Sequence, residues 1–577
     1  NKSYILMKNT ILTILTLFFI FQLKSQNEKF QINGAARSYL FSNELEIENS
    51  VDSITPKKSN YGHNLLDLGI SIFPNEQTEV IGIFRIRNEL GGFWGGGVTF
   101  NVRQLTLKGV ANNNIRYEVG DIDLKMTPYT LFNNREEGVI NESDAFKIRR
   151  KIFHYDLFYQ ENHWRMQGAK VDFNVLTNST FKKINFKGYL TRQRATDGLS
   201  LPERLFGGGS INFINSPSLN FQINSSNMFD LTKTLGNDST KFSNSVITSN
   251  FQWKGANRKK IILKLYGEGG ISNTRYINYN DQNAPELLSD WFYDVASSTL
   301  FKKKKIRFKL GAKDVGKDFR SPGAQTKRID YSKSPGLYQQ FTNNFVGREV
   351  SFSDIINGNA EASFKISETL MSYNAAYSNT NPYGAATPNR RGFYLHLEKL
   401  DSGEVKKGYF ECSFLQESVG SGTTKRKSFL LTRIGTDINI NNYFNWKKAT
   451  KLNFGFQSEF TFRGGEIYEK INLQSNFIDL GFSYEFIPKF SFLLGTKLWI
   501  AKGNENLIVR DEFNNVIDFE AIDINFSETV IATGFKLDFD ENNTLTIQYQ
   551  SFNINNQVEN GIDYGISEFI ILYSLFF

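Results

Sequence analysis

Apolar and polar residues alternate with a period of two along most of the chain. Between residues 452 and 462 every second residue is apolar or small, and the residues between them are polar, charged or glycine. The stretch from 478 to 486 repeats the pattern with two acidic residues on its polar face. An amphipathic helix would repeat every 3.6 residues instead. The pattern therefore predicts β-strands with one apolar and one polar face.

Three features favour a transmembrane β-barrel over an antiparallel sandwich. The apolar faces carry almost no charge over about ten residues, which is the length that crosses a bilayer when tilted. The opposite faces carry lysine, arginine and glutamate, as a wet interior allows. Tight turns, as at 365–368 and 486–489, alternate with long connections, as from Ile500 to Phe526 and from Lys313 to Ser353. Short periplasmic turns and longer extracellular loops are typical of outer-membrane barrels.

Counting back from the C-terminus predicts a single all-β, antiparallel barrel of about 24 strands, and any even number from 18 to 26 fits. The stretch 121–162 is the least strand-like and leaves room for a further hairpin, with Lys151 to Tyr159 as one arm. Long loops are expected near 121–162 and 314–354. The predicted strands are 30–42, 64–75, 78–89, 97–110, 113–121, 163–175, 181–194, 204–215, 218–229, 241–254, 259–272, 291–301, 304–313, 355–366, 368–380, 390–400, 404–416, 425–440, 450–462, 476–486, 489–500, 526–539, 544–552 and 563–577.

The N-terminal residues 1–25 are typical of a secretory signal peptide. Lys8 precedes an apolar run of 13 residues, Ile11 to Leu23, and Ser25 offers a small residue for cleavage. This run is shorter than the roughly 20 residues that a spanning helix needs. The first residue is Asn1, so the true start is expected at Met7 and the barrel domain at 26–577.

Composition narrows the class of protein further. The chain has 53 Phe and 25 Tyr but only 11 Pro, and aromatic residues suit strands and membrane interfaces. Mean hydropathy of −0.38 excludes a helical membrane protein. The single cysteine, Cys412, excludes an internal disulfide and a cysteine-based metal cluster within one chain. The net charge of +8 is spread along the chain, which fits lipid headgroups or anions better than nucleic acid, so no nucleic-acid partner is predicted.

The last residues resemble the C-terminal recognition strand of bacterial outer-membrane proteins. Every second residue is apolar and the chain ends in an aromatic residue; these residues are Phe569, Ile571, Tyr573, Leu575 and Phe577. The resemblance implies a porin-like outer-membrane protein of a Gram-negative bacterium, inserted by the barrel-assembly machinery and surrounded by outer-membrane lipid. The Asn-, Lys-, Ile- and Phe-rich usage is similar to that of Bacteroidota proteins. No specific family is identified.

The polar faces predict which side chains line the lumen. The candidates are Arg307, Lys309, Glu459, Glu485, Lys497 and Lys536. Such a wall fits a mildly anion-preferring channel, and it fits equally an interior in which paired charges hold a plug. Asp121 to Trp164 and Arg320 to Ser351 are long enough to fold inward. The residues before Asn75 already look like strands, which argues against a TonB-dependent receptor of ordinary design.

Three functions remain open on this pattern. The first is a porin-like channel for polar solutes, and the second is a non-transporting barrel subunit of a secretion or assembly complex with envelope protein partners. The third and least favoured is an outer-membrane enzyme, for which His396 and Ser413 on neighbouring strands are the best candidates. No catalytic residue, cofactor or metal site is predicted.

Overall fold

A computed structural model describes residues 29–577 of the chain with gaps. The ranges outside the described residues are 48–57, 91–96, 133–140, 158–165, 179–180, 199–201, 217, 232–239, 258–259, 279–285, 326–328, 331–349, 352–365, 367–369, 371–372, 374, 401–404, 511–515 and 559–562. The predicted signal peptide lies outside the described residues as well.

Twenty-two antiparallel strands form one closed sheet. Each strand pairs with its neighbours in the chain, and the first strand pairs with both the second and the last, so the sheet has no free edge. The strands are β1 (Phe30–Ile47), β2 (Lys58–Asn75), β3 (Thr78–Glu89), β4 (Val98–Ala111), β5 (Ile115–Ile122), β6 (Met166–Leu176), β7 (Lys183–Arg194), β8 (Arg204–Ser216), β9 (Leu219–Asp230), β10 (Thr240–Asn257), β11 (Ile261–Asn278), β12 (Glu286–Phe301), β13 (Ile306–Val315), β14 (Arg390–Lys399), β15 (Val405–Gln416), β16 (Ser428–Asn439), β17 (Thr450–Arg463), β18 (Ile471–Ile487), β19 (Phe490–Arg510), β20 (Val516–Asp538), β21 (Asn543–Asn556) and β22 (Tyr564–Phe576).

The predicted all-β barrel is confirmed, with 22 strands in place of 24. The predicted strand at 368–380 is wrong in its described part, because 375–380 form turns and bends. The predicted strand at 355–366 lies almost wholly outside the described residues. The hairpin arm at Lys151 to Tyr159 is also wrong, since helix α1 (Asp144–Leu157) occupies that stretch.

The two ends of the barrel differ in the length of their connections. One end has connections as short as 76–77 and 488–489, and the other has 123–165 and 316–389. The longest connection at the tight end, 440–449, contains helix α2 (Ile440–Phe444). Strands β19 and β20 run on to 511–515, where the sequence predicted a long connection between Ile500 and Phe526. With tight turns in the periplasm, both termini of the barrel lie on the periplasmic side.

The outward face of the sheet is apolar and the inward face is mixed. Outward side chains such as Leu310 and Ile531 remain 50% and 48% exposed, although they are large and apolar. A closed sheet pairs its backbone groups within the sheet, and this outward face presents a largely apolar surface to lipid. The chain is therefore an integral β-barrel of the bacterial outer membrane. Among the described residues no helix has the length and apolar character to cross a bilayer.

Few other elements are regular. Two short 3₁₀ turns, Pro322–Ala324 and Gly384–Ala386, lie in the connection between β13 and β14. A two-residue parallel pair, Ile329–Asp330 with Val350–Ser351, lies in the same connection. Together with α1, this connection supplies the material that packs against the inner wall.

Candidate functional site: the lumen and its inward segments

Charged and polar side chains form continuous rows on the inner wall. Directly opposite positions on five consecutive strands hold Lys309, His396, Glu411, Arg433 and Gln457. Opposite residues on antiparallel strands face the same side, with Cβ atoms about 5 Å apart. Neighbours in this row interact: the Arg433 guanidinium lies 3.6 Å from the Glu411 carboxylate and donates to the Gln457 amide oxygen.

The first inward segment, residues 123–132, follows β5. It covers the inner wall near the extracellular end of the barrel. The Tyr129 ring stacks on Phe292 of β12 at 4.0 Å, and its hydroxyl donates to Asp294 at 2.9 Å. Burial, together with the nearby Asp294 carboxylate, raises the pKa of Tyr129 well above its usual value, so the phenol remains a donor. Leu131 packs among inward apolar residues of β6 to β10, namely Met166, Tyr189, Phe206, Met228 and Phe242.

Helix α1 continues this segment and begins against β17 to β19. The Ser143 hydroxyl accepts from the backbone N–H of Ala145, and Asp144 lies in the first turn, where the helix dipole favours a negative charge. Lys451 pairs with Asp144 at 3.0 Å. Lys497 pairs with Glu142 at 2.6 Å and lies 4.7 Å from the Phe146 ring. The start of the helix is therefore tied to the wall by two ion pairs.

An apolar patch of the wall lies beneath the start of α1. Ala145 and Phe146 pack against inward residues of β19 to β22, namely Leu493, Val530, Ala532, Phe552, Ile554 and Ile566. Burying Phe146, which is 5% exposed, contributes about 2–3 kcal/mol of favourable transfer free energy. The inner wall is apolar here because a helix, rather than water, covers it.

The other end of α1 reaches the wall at β2 to β4. The Arg103 guanidinium lies 4.6 Å from the centre of the Tyr155 ring and donates to the Tyr155 carbonyl oxygen. Asp67 accepts two hydrogen bonds from Arg85 at 2.7 Å and a further one from Arg103. The Tyr155 ring also makes an edge contact with Phe576 at 5.7 Å. Helix α1 thus runs inside the barrel from β17 to β19 at its start to β2 to β4 at Tyr155, and its first turn packs on β19 to β22.

The second inward segment is the connection between β13 and β14. Phe319 packs edge-on against Phe292, and the Ser321 hydroxyl donates to the Tyr129 carbonyl oxygen at 2.8 Å. The part from 316 to 325 therefore packs directly on the first inward segment. Together they cover the wall around Asp294, whose second oxygen accepts from Tyr394 at 2.7 Å.

Residues 375–389 of the same connection contact a different part of the wall, which includes β14 and β17. Glu459 accepts from the backbone N–H groups of Asn379 and Thr380, each at 2.9 Å. The buried Arg390 guanidinium donates to the carbonyl oxygens of the same two residues and lies 3.8 Å from the Phe429 ring. The buried Glu459 carboxylate thus binds the N–H groups of Asn379 and Thr380, and the buried Arg390 guanidinium binds the carbonyl groups of the same two residues.

The six predicted lumen residues divide by their surroundings. Glu459 and Lys497 contact the inward segments, as described above. Arg307 pairs with Glu398 of the neighbouring strand at 2.6 Å, and Lys309 lies 5.1 Å from the Tyr394 ring. Lys536 pairs with Asp538 at 2.8 Å. Glu485 accepts from the backbone N–H of Lys489, so these last two carboxylate contacts lie at the periplasmic rim.

The C-terminal strand has the predicted outward face. Phe569 and Phe577 are 45% and 51% exposed, whereas Glu568 and Ile570 between the outward residues are buried. The backbone of Phe577 exchanges two hydrogen bonds with Gly34, at 2.8 and 3.0 Å. The last residue of the chain therefore completes the seam that closes the barrel. Its use as an assembly signal stays a prediction.

The residues proposed for an enzyme site do not meet. His396 lies opposite Glu411, with 3.6 Å between imidazole and carboxylate, and its other nitrogen lies 3.4 Å from the Tyr409 hydroxyl. Ser413 lies opposite Tyr394, and its hydroxyl has no hydrogen-bond partner among the described residues. The contacts of His396 thus tie it to the polar row and not to a serine nucleophile.

Among known proteins, the matches to this chain are solved structures with a similar fold. No protein-family model and no curated protein match the chain. Two Pseudomonas aeruginosa crystal structures match over 95% of this chain and 98% of theirs: OpdQ, with 10% identity and a TM-score of 0.33, and OccK5 (OpdH), with 8% identity and a TM-score of 0.34. A BenF-like porin from Pseudomonas fluorescens Pf-5 matches over 95% and 99%, with 10% identity and a TM-score of 0.33.

Proposed function

We propose that the protein is a porin-like channel for polar solutes, narrowed by the described parts of the connections between β5 and β6 and between β13 and β14. The observation that supports this most is the row of directly opposed polar residues from Lys309 to Gln457. Charged side chains on consecutive strands are stable inside a membrane only where water or opposite charges meet them. A barrel of 22 strands is also wide enough to need material in its lumen.

Conductance is the direct test of this proposal. The purified full-length barrel is inserted into planar bilayers in KCl, and discrete, stepwise currents are expected. Arg307 and Lys309 lead us to expect a mild preference for chloride, measured as the reversal potential across a KCl gradient. A correctly folded barrel, checked by its heat-modifiable mobility, that never conducts would contradict the channel.

A second candidate is a barrel subunit within a larger envelope complex. Its support is an aromatic cluster on the periplasmic connection 440–449. Tyr443, Phe444 and Trp446 are 70%, 59% and 52% exposed, and the rings of Phe444 and Trp446 stack at 5.6 Å. Aromatic residues are enriched both at membrane interfaces and at the centres of protein interfaces.

Co-purification after gentle extraction separates the two candidates. A partner protein bound at the cluster should be recovered in stoichiometric amount with the native barrel and be lost from a Trp446→Ala, Phe444→Ala variant. If the native barrel is recovered without a partner and gives the stepwise currents described above, the result would support the channel and count against the complex.

A further inference from the structure

A row of carboxamide side chains lies on the inner wall of β6 to β10. Directly opposite positions hold Asn174, Asn185, Asn212, Gln222 and Asn250. All five are half-buried. The same strands turn apolar residues such as Val171, Leu190 and Phe221 outward, which fixes the amides on the lumen side. With about 5 Å between opposite neighbours, the row extends over roughly 20 Å.

The row slopes from the periplasmic mouth towards the middle of the barrel. Asn174 lies close to Leu176, the periplasmic end of β6, whereas Asn250 lies in the interior of β10. The slope follows from the tilt of barrel strands, because opposite residues lie perpendicular to the strands rather than to the barrel axis. Leu131 of the first inward segment packs on the same strands nearer their extracellular ends, at Tyr189, Phe206 and Met228.

The amides retain unused hydrogen-bonding capacity. The side-chain oxygens of Asn185, Asn212 and the adjacent Asn220 have no partner among the described residues. Gln222 donates along its own strand to Asn224, at 2.5 Å, rather than across to its neighbours in the row. Unpaired polar groups shielded from water cost free energy, and a ligand that pairs with them offsets that cost.

The row itself is uncharged, although two lysines, Lys183 and Lys187, lie either side of Asn185 on the same face of β7. The five side chains are neutral. The charged residues of β5 and β6 beside it pair with one another, Lys170 with Glu118 at 2.6 Å and Arg116 with Asp172 at 2.7 Å. An amide offers a donor and an acceptor together, as a hydroxyl group does. Tyr266, opposite Gln252 in the adjoining row, adds an aromatic ring with a polar tip.

We infer that this amide row binds uncharged, hydroxyl-rich solutes such as oligosaccharides on their passage through the lumen. The inference rests on the proposed channel function and names its solute class. The amides along this row each offer similar, weak hydrogen bonds. Together they can bind such a solute and still release it from one position to the next, as conduction requires. A row that only stiffened the sheet would give no such selectivity.

The test compares the native barrel with an Asn185→Leu, Asn212→Leu variant, which removes two central amides at nearly constant volume. The matched control is Asn227→Leu, because Asn227 lies on the outward face of β9. Binding of maltohexaose is measured by calorimetry on the detergent-solubilised barrel, and the block of KCl current by the same sugar is measured in bilayers. We expect the double variant to bind about tenfold or more weakly, with its sugar-free conductance unchanged.

Each outcome decides one claim. Native and double-variant barrels with equal sugar affinity, or a native barrel that binds citrate but no neutral oligosaccharide, would overturn the amide site while leaving the channel intact. A native barrel that binds the sugar through these amides but never conducts would support the site and overturn the channel. If the double variant does not fold, Asn185→Val and Asn212→Val, each suited to a strand and without a hydrogen-bonding side chain, take its place.

Discussion

Breaking the contact between Lys497 and α1 should release the start of the helix from the wall. Lys497→Met removes the 2.6 Å ion pair with Glu142 and the contact with the Phe146 ring, and leaves Glu142 only 7% exposed without this cation. Removing one partner of a buried pair costs about 3–5 kcal/mol. Since Lys497 is 14% exposed to the lumen, we expect about 2–3 kcal/mol. At 1.4 kcal/mol per factor of ten, α1 becomes about 30- to 140-fold easier to release.

Hydrogen exchange of the barrel in nanodiscs measures this release. Backbone amides of residues 144–157 should exchange about 30- to 140-fold faster in Lys497→Met, while those of the strands keep their native rates. The control is Lys536→Met, whose lysine pairs with Asp538 at the rim instead of with an inward segment. Equal exchange of α1 in the native protein and in Lys497→Met would refute the anchoring role, and faster exchange throughout the barrel would point to a general loss of stability.

Three further predictions address the inward segment, the seam and the lipid face. Tyr129→Phe loses the hydrogen bond to Asp294 but keeps the ring stack, so residues 123–132 should exchange faster by a factor that corresponds to about 1.5–3 kcal/mol. Gly34→Val should prevent folding, measured by heat-modifiable mobility, because a Cβ there would lie 2.2 Å from a backbone oxygen; Gly464→Ala, with 3.8 Å of room, should fold normally. Leu310→Arg, on the lipid face, should lower the free energy of unfolding in urea by about 2–4 kcal/mol.

The strands were predictable because lipid leaves an outward residue little choice. Every barrel strand overlaps one that the alternation predicts, and β3 has the predicted bounds, Thr78–Glu89. Outside the membrane, outward residues no longer need to be apolar. The extracellular ends of β19 and β20, beyond Ile500 and before Phe526, show no regular alternation, and the sequence predicted a loop there.

The inward segments were only half predictable. Length and composition indicated that 121–162 and 314–354 do something other than cross the membrane, but not which wall they contact. One signal was present: β19 to β22 carry apolar residues on both faces, as at Leu493, Val530, Phe552 and Ile566. A strand with two apolar faces cannot border water on either side. Ser143 and Asp144 likewise mark a helix start.

The lumen residues show why the alternation of apolar and polar positions along a strand does not by itself define a site. The alternation of apolar and polar positions predicts that Glu459 and Lys497 face inward, and both bind the chain's own inward segments. A side chain already paired with its own chain has less capacity for a passing solute. Selectivity is therefore expected on parts of the wall away from the described inward segments, such as the periplasmic part of β6 to β10. The amides of β6 to β10 are neutral and short, and they give none of the charge signal by which the six candidates were chosen.

The way the inward segments are attached limits how the lumen opens. Each described segment is continuous with a barrel strand at both ends, so it cannot leave as a separate domain would. Opening then requires the loss of wall contacts one set at a time: the ion pairs at Glu142 and Asp144, the Tyr129 hydrogen bond, or the Glu459 contacts. Release of each set also exposes the apolar side chains packed beside it, such as Phe146 and Leu131, but leaves the hydrogen bonds of the sheet intact. A solute bound at the amide row lies on the periplasmic side of these contacts and competes with none of them. The row can therefore bind the solute whether the inward segments are attached to the wall or released from it.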